Sequence, residues 1–197
     1  MKKLLVLIAV LALGLALFAD DAKSEAVQAI DTAKTFINKG NYGKAREELE
    51  YAMAKIDEIL GEDLLNYLPA GSGGFKLNEK SVTPLNILGS GMTAMGEYEK
   101  GDADFTLTIS VGGILGQSGG LMGLANLFGI SGAAGKSTRV SGYTANLEFD
   151  ESDRSGTLIV KVNDRITVTV NGSNISSSDL LKALAEQVDF SALEKDY

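Results

Sequence analysis

Several stretches in the second half of this chain alternate apolar and polar side chains with period two, and they leave little choice of architecture. Phe105, Leu107, Ile109 and Val111 interleave with Asp104, Thr106, Thr108 and Ser110. The pattern returns at Tyr143, Ala145, Leu147 and Phe149, then at Leu158, Val160 and Val162, and again at Ile166, Val168 and Val170. A strand of this period sends one set of side chains to each face, so a sheet with one strongly apolar face is expected.

The turns fix how those strands pair. Met92, Ala94, Gly96 and Tyr98 precede a Gly101-Asp102 turn, which sets Tyr98 opposite Phe105 and Ala94 opposite Ile109, with both apolar sets on one face. Between Val162 and Ile166, a two-residue turn would place Val162 opposite Arg165, on the wrong face. A three-residue loop, Asn163-Asp164-Arg165, restores the match and carries a bulge. After Asn171-Gly172, Ser176 reads as a helix N-cap with Asp179 three residues on, and Leu180, Leu184 and Val188 point inward. The expectation for 92–197 is an α+β domain of about five strands, mainly antiparallel, with a crossover helix and a C-terminal helix.

The crossover falls in residues 112–135, an uncharged stretch with nine glycines and Leu121, Met122, Leu124, Leu127 and Phe128. Two readings stand. The segment is a buried crossover helix packed closely through its glycines, or it is an apolar lid or contact surface for a lipid-like ligand or a partner. On the second reading Leu121, Leu124, Leu127 and Phe128 are the contact residues.

The first half reads as helix. Ala26, Ile30, Ala33 and Ile37 recur at spacings of four and three, and Lys39-Gly40-Asn41 stops the helix. A second helix starts near Tyr42, with Ala45, Leu49, Ala52, Ile56 and Ile59 on its inner face, and ends by Pro69. A short break between amphipathic helices makes an antiparallel hairpin over 20–69. Residues 70–91 open with Ala70, Gly71, Ser72, Gly73 and Gly74, continue polar to Pro84, and read as a linker.

Lys2 and Lys3, an uncharged apolar run over 4–18, then Ala19 before Asp20 and Asp21 form the pattern of a secretory signal peptide. Cleavage after Ala19 is expected, giving an exported protein, periplasmic or extracellular, with no stable membrane span; an uncleaved anchor is the alternative. Loss of the two lysines takes the net charge from −8 to −10, which repels phosphate backbones and argues against nucleic acid. The chain has no cysteine and no histidine. The fold therefore stands without disulfides, and zinc or copper sites are disfavoured.

Several motif matches fail on their chemistry. Gly116-Gln117-Ser118-Gly119-Gly120 spells a nucleophile elbow, but without histidine no Ser-His-Asp triad exists. The run from Gly129 to Ser137 resembles a phosphate loop, yet Ile130 stands where the first glycine belongs and a strand follows in place of a helix. Asp150, Glu151, Ser152, Asp153 and Gly156 have the composition of a calcium loop, but Ser155 occupies the glycine position, and a solvated hairpin turn is the better reading. Glu97 and Glu99 share a strand face without an aromatic sugar platform beside them. No catalytic residue, cofactor or metal site is assigned.

Gly40, Asn41, Tyr42, Ala45, Leu49, Glu50 and Ala52 resemble the turn and second helix of a tetratricopeptide unit, present once. Together with Leu68-Pro69, Gly142-Tyr143 and Asp179-Leu180, the order of features resembles a family of uncharacterised bacterial exported proteins. The sheet and helices also look loosely like the PsbP-type sandwich. The chain departs from that family's aromatic linker, with Phe75 standing alone. The resemblance implies compartment and architecture, not mechanism. The expected function is a non-catalytic interaction module with an unknown protein partner in the cell envelope; the alternative is a carrier of a small apolar molecule held between the sheet and 112–135.

Overall fold

The computed structural model describes residues 21–84, 91–112 and 135–197. The protein is α+β, with helices followed by an antiparallel sheet. It divides into two compact units, Met1–Leu60 and Gly61–Tyr197, with the boundary inside the second helix.

In the first unit, helix α1 covers residues 21–38 and helix α2 is Tyr42–Leu64. Gly40 takes a φ of +72° between them, where a side chain would strain the backbone, and the Asn41 amide donates to the Phe36 carbonyl at 2.9 Å. The expected hairpin is present, but its seam differs from the expected one. Ala22, Ala26, Ala29 and Ala33 of α1 are buried, with Ala45 and Ala52 of α2. Ile30, Ile37, Leu49 and Ile56, expected to face inward, are exposed. Small side chains let two helices approach closely, and the bulky residues are displaced to the flank.

The second unit opens with a 3-10 turn, Leu65–Tyr67, and carries eight strands rather than about five. These are β1 (Gly71–Ser72), β2 (Phe75–Pro84), β3 (Gly91–Lys100), β4 (Ala103–Gly112), β5 (Lys136–Val140), β6 (Tyr143–Asp150), β7 (Ser155–Lys161) and β8 (Ile166–Ser173). Their order is β1-β2-β3-β4-β8-β7-β6-β5, every neighbouring pair antiparallel. Two four-strand meanders thus meet at the β4–β8 pair. The segment expected as a linker instead supplies β1 and β2. β2 pairs along β3, with a register irregularity between Leu77 and Glu79.

Both expected registers hold. Tyr98 faces Phe105 and Ala94 faces Ile109 across a turn whose Gly101 has a φ of +61°. Val162 donates to the Ile166 carbonyl at 3.1 Å, and the Asn163 side chain accepts from the Arg165 and Ile166 amides inside the three-residue loop. The acidic segment at 150 is a hairpin turn, with Asp150 paired to Ser155 and its carboxylate accepting from the Ser152 and Asp153 amides.

One sheet face collects the core. Tyr98, Phe105, Leu107, Ile109, Leu158, Val160, Ile166, Val168 and Val170 are all buried; helix α3 (Asp179–Ala185) packs against β7 and β8, and helix α4 (Phe190–Asp196) follows it. The expected single C-terminal helix is therefore two short ones. Ser178, not Ser176, precedes α3, and Leu181, Leu184 and Ala185 are its buried residues while Leu180 is half-exposed. Asp189 caps α4 by accepting from the Ala192 amide. Gly172 faces the Phe105 ring so closely that a Cβ would lie 2.6 Å from it. The other face is hydroxyl-rich: Thr108 pairs with Thr169, Ser110 with Thr167, and Ser110, Thr167 and Thr169 are buried. The expected crossover helix lies outside the described residues.

Candidate functional site on the helical hairpin

At 100° per residue, the buried alanine row divides each helix into two flanks. On α1, Glu25, Thr32 and Phe36 fall to one side of Ala22, Ala26, Ala29 and Ala33. On α2, Lys44, Glu48, Tyr51 and Lys55 fall to one side of Ala45 and Ala52. The contacts show that these flanks adjoin. Lys55 Nζ lies 2.8 Å from Glu25 and 3.1 Å from Glu58, and the Tyr51 hydroxyl donates to Glu25 at 2.7 Å. The Lys44 ammonium sits 5.6 Å from the Phe36 ring centre. The hydrogen bonds from Lys55 and then Tyr51 hold the Glu25 carboxyl below its ordinary value, and the same bonds push the Lys55 ammonium and the Tyr51 phenol up. A shallow groove lined by Glu25, Gln28, Ala29, Thr32, Glu48 and Tyr51 follows this flank.

The opposite flanks adjoin in the same way, and their chemistry is different. Ile30 and Ile37 lie beside the seam on α1, with Val27 further out. Leu49 and Ile56 lie beside it on α2, with Tyr42 and Met53 further out. All seven side chains are exposed, from 40% for Ile56 to 70% for Tyr42. One face of the hairpin is a polar network, and the other exposes large apolar side chains with Lys23 and Lys34 among them on α1. Apolar patches of this kind on a protein surface are often functional.

The sequence reading found Ile30, Ile37, Leu49 and Ile56 as apolar but placed them in the seam. It missed Val27, Tyr42 and Met53 as parts of the same strip. The legible signal was an excess: α1 carries two interleaved apolar rows, one of alanines and one of large residues, and a single seam buries only one. Leu121, Leu124, Leu127 and Phe128 lie outside the described residues, as do the serine of the nucleophile-elbow match and most of the phosphate-loop match. Lys136 and Ser137 of the latter begin β5.

Three shifted tyrosines of the sheet unit serve structure. The Tyr98 hydroxyl donates to the Pro69 carbonyl at 2.9 Å, and burial pushes its phenol up. Tyr67 bonds Asp196, which raises the phenol to about 12, and its ring meets Tyr197 edge-on at 6.1 Å. Tyr143 bonds Glu194 at 3.0 Å and packs on Phe190. These bonds pin α4 and the C-terminal residue to the sheet unit. Among the described residues, Glu148 Oε2 is shielded without a hydrogen-bond partner. Among the described residues no group of three or more Asp or Glu side chains could hold a metal ion, and no helix is long and apolar enough to cross a membrane. Comparison with known proteins finds no family model, no curated protein and no solved structure that matches this chain.

Proposed function

We propose that this protein is a non-catalytic interaction module, exported to the periplasm or the cell exterior, and that its hairpin carries the docking face. The observation that carries the reading is the apolar strip of Ile30, Ile37, Leu49, Met53 and Ile56 on the flank opposite the Glu25–Lys55 network. Several features support it. The chain has no histidine or cysteine to act as base, nucleophile or soft metal ligand, and Glu25, Tyr51, Lys55 and Tyr67, whose proton affinities are shifted, are held by hydrogen bonds within the chain. The alanine seam is buried and the polar network bridges the two helices, while the large apolar residues stay exposed. The basic start and apolar run of residues 1–19 support export.

The test is site-specific photo-crosslinking in living cells. A photoreactive residue at Leu49 or Met53 gives a discrete adduct, whereas the same residue at Gln28, away from the strip, gives none. Equal labelling from both faces, or none from either, removes the docking face.

A further inference from the structure

We infer that the docking flank of the hairpin lies on a phospholipid bilayer. Its large apolar side chains enter the acyl boundary, and Lys23 and Lys34 reach the phosphates. The inference rests on the docking face proposed above and names what that face meets.

The lysines decide what kind of surface fits. At 100° per residue, Lys23 and Lys34 fall between Ile30 and Val27 on α1, so they stand inside the apolar flank. Both are exposed, and among the described residues neither has an ion pair. The core of a protein interface is depleted in lysine, because burial strips the ammonium of its water. A bilayer boundary accepts both residue types. Isoleucine and leucine enter the acyl layer, while a lysine stem lies along them and carries its charge out to the headgroups. Tyr42, 70% exposed at the start of α2, has the amphipathic ring that membrane boundaries collect.

Charge on the two helices is sorted to match. No acidic side chain falls between Ile37 and Val27 on α1, or between Ile56 and Met53 on α2. The carboxylates lie elsewhere. Glu25 and Glu58 pair with Lys55 in the polar network. Asp57 and Glu50 stand beyond Met53, with Glu50 paired to Arg46 at 2.8 Å. With a net charge of −8 the chain as a whole is repelled by an anionic bilayer, so contact is confined to the flank whose charges are lysines. The sequence adds continuity. Only Ala19 and Asp20 separate the apolar run over 4–18 from α1. A chain that engages a membrane through that run, as signal or as anchor, brings α1 to the same surface.

The test uses protein purified from cells expressing the full chain. The chain has no cysteine, so one added cysteine can carry a polarity-sensitive dye. A dye at Leu49→Cys should brighten and shift to the blue on vesicles of phosphatidylglycerol, and one at Gln28→Cys should not. In the Leu49-labelled chain, Lys23→Gln and Lys34→Gln should each raise the lipid concentration for half response about fivefold, the worth of one lysine at an anionic surface. On phosphatidylcholine vesicles these two variants should match the parent. Ile30→Asp should raise that concentration at least about tenfold on both lipids. Each variant changes an exposed residue, so thermal unfolding should match the parent's. Equal response from both dye positions, no response at either, or unchanged lysine variants on phosphatidylglycerol overturns the inference. So does a Leu49 dye already shielded in a dimer without lipid, which names a second copy instead. Photo-crosslinking at Leu49 in cells tells the two levels apart. A phospholipid adduct agrees with the inference. A protein adduct without the dye response overturns it and keeps the docking face, whereas no adduct and no response removes both.

Discussion

Tyr98 shows how one side chain ties the sheet to what precedes it. It is fully buried, lies opposite Phe105, and donates its hydroxyl to the Pro69 carbonyl at 2.9 Å. Burial disfavours the phenolate, so the folded-state pKa lies above the ordinary value of about 10. The unfolded chain then releases this proton at lower pH than the folded one. Stability from this residue is complete below about pH 10 and is lost as pH rises towards the folded value. Tyr67, raised to about 12 by its bond to Asp196, adds a loss of the same sign above about pH 10. Thermal unfolding should therefore be flat near neutrality and fall on the alkaline side. Tyr98→Phe should cost about 1 kcal/mol at pH 7 through the lost hydrogen bond, and its alkaline decline should be shallower than the parent's. Parallel curves for the two proteins would place the alkaline sensitivity elsewhere. The sequence showed that Tyr98 faces inward, because alternation and turn length decide that locally. It could not show Pro69 as the acceptor, since that contact depends on how the chain folds back across 29 residues.

At the scale of elements, local rules were reliable where a turn counts residues and unreliable where two helices choose between rows. The β3–β4 and β7–β8 registers followed from loop length, because a slip of one residue would turn a whole apolar set outward. β2 escaped notice for a physical reason. Phe75 and Leu77 are in phase with each other, but the irregularity after Leu77 shifts the phase, so Val82 faces Ala94 from an even position. Alternation broken in mid-strand, among Lys76, Asn78, Glu79 and Lys80, reads as polar linker. The hairpin seam was misread because apolar periodicity weights large residues, whereas close helix approach selects small ones. Enlarging the seam should therefore hurt more than enlarging its flank. Ala33, 1% exposed, replaced by leucine should destabilise the hairpin by about 1–3 kcal/mol through overpacking, whereas Val27→Leu should change little. Helicity and thermal unfolding of the two variants give the comparison. Equal tolerance of both would mean that Ala22, Ala26, Ala29 and Ala33 are not a packed seam.

For the whole molecule the question is which residues fold as one cooperative body. The described sheet, the 3-10 turn and both C-terminal helices all lie in Gly61–Tyr197. A boundary drawn at residue 92 from the sequence pattern cuts through that body. It removes β1 and β2, exposes the length of β3, and takes away Phe75, whose ring lies 4.3 Å from Phe105. It also removes Pro69 and so leaves the buried Tyr98 hydroxyl without its acceptor. Loss of one buried phenylalanine costs about 3–5 kcal/mol, and an orphaned buried polar group costs roughly 1–3 kcal/mol more. A domain of this size has only about 5–15 kcal/mol in hand. Fragment 61–197 should accordingly unfold in one sharp thermal or urea transition, and fragment 92–197 should show none. The first result separates the hairpin from the sheet as an independent appendage, as its own closed seam and polar network require. If 61–197 unfolds without cooperativity while the full chain unfolds in a single step, the hairpin is part of the sheet's core. Its apolar strip would then owe its role to this chain and not to a partner.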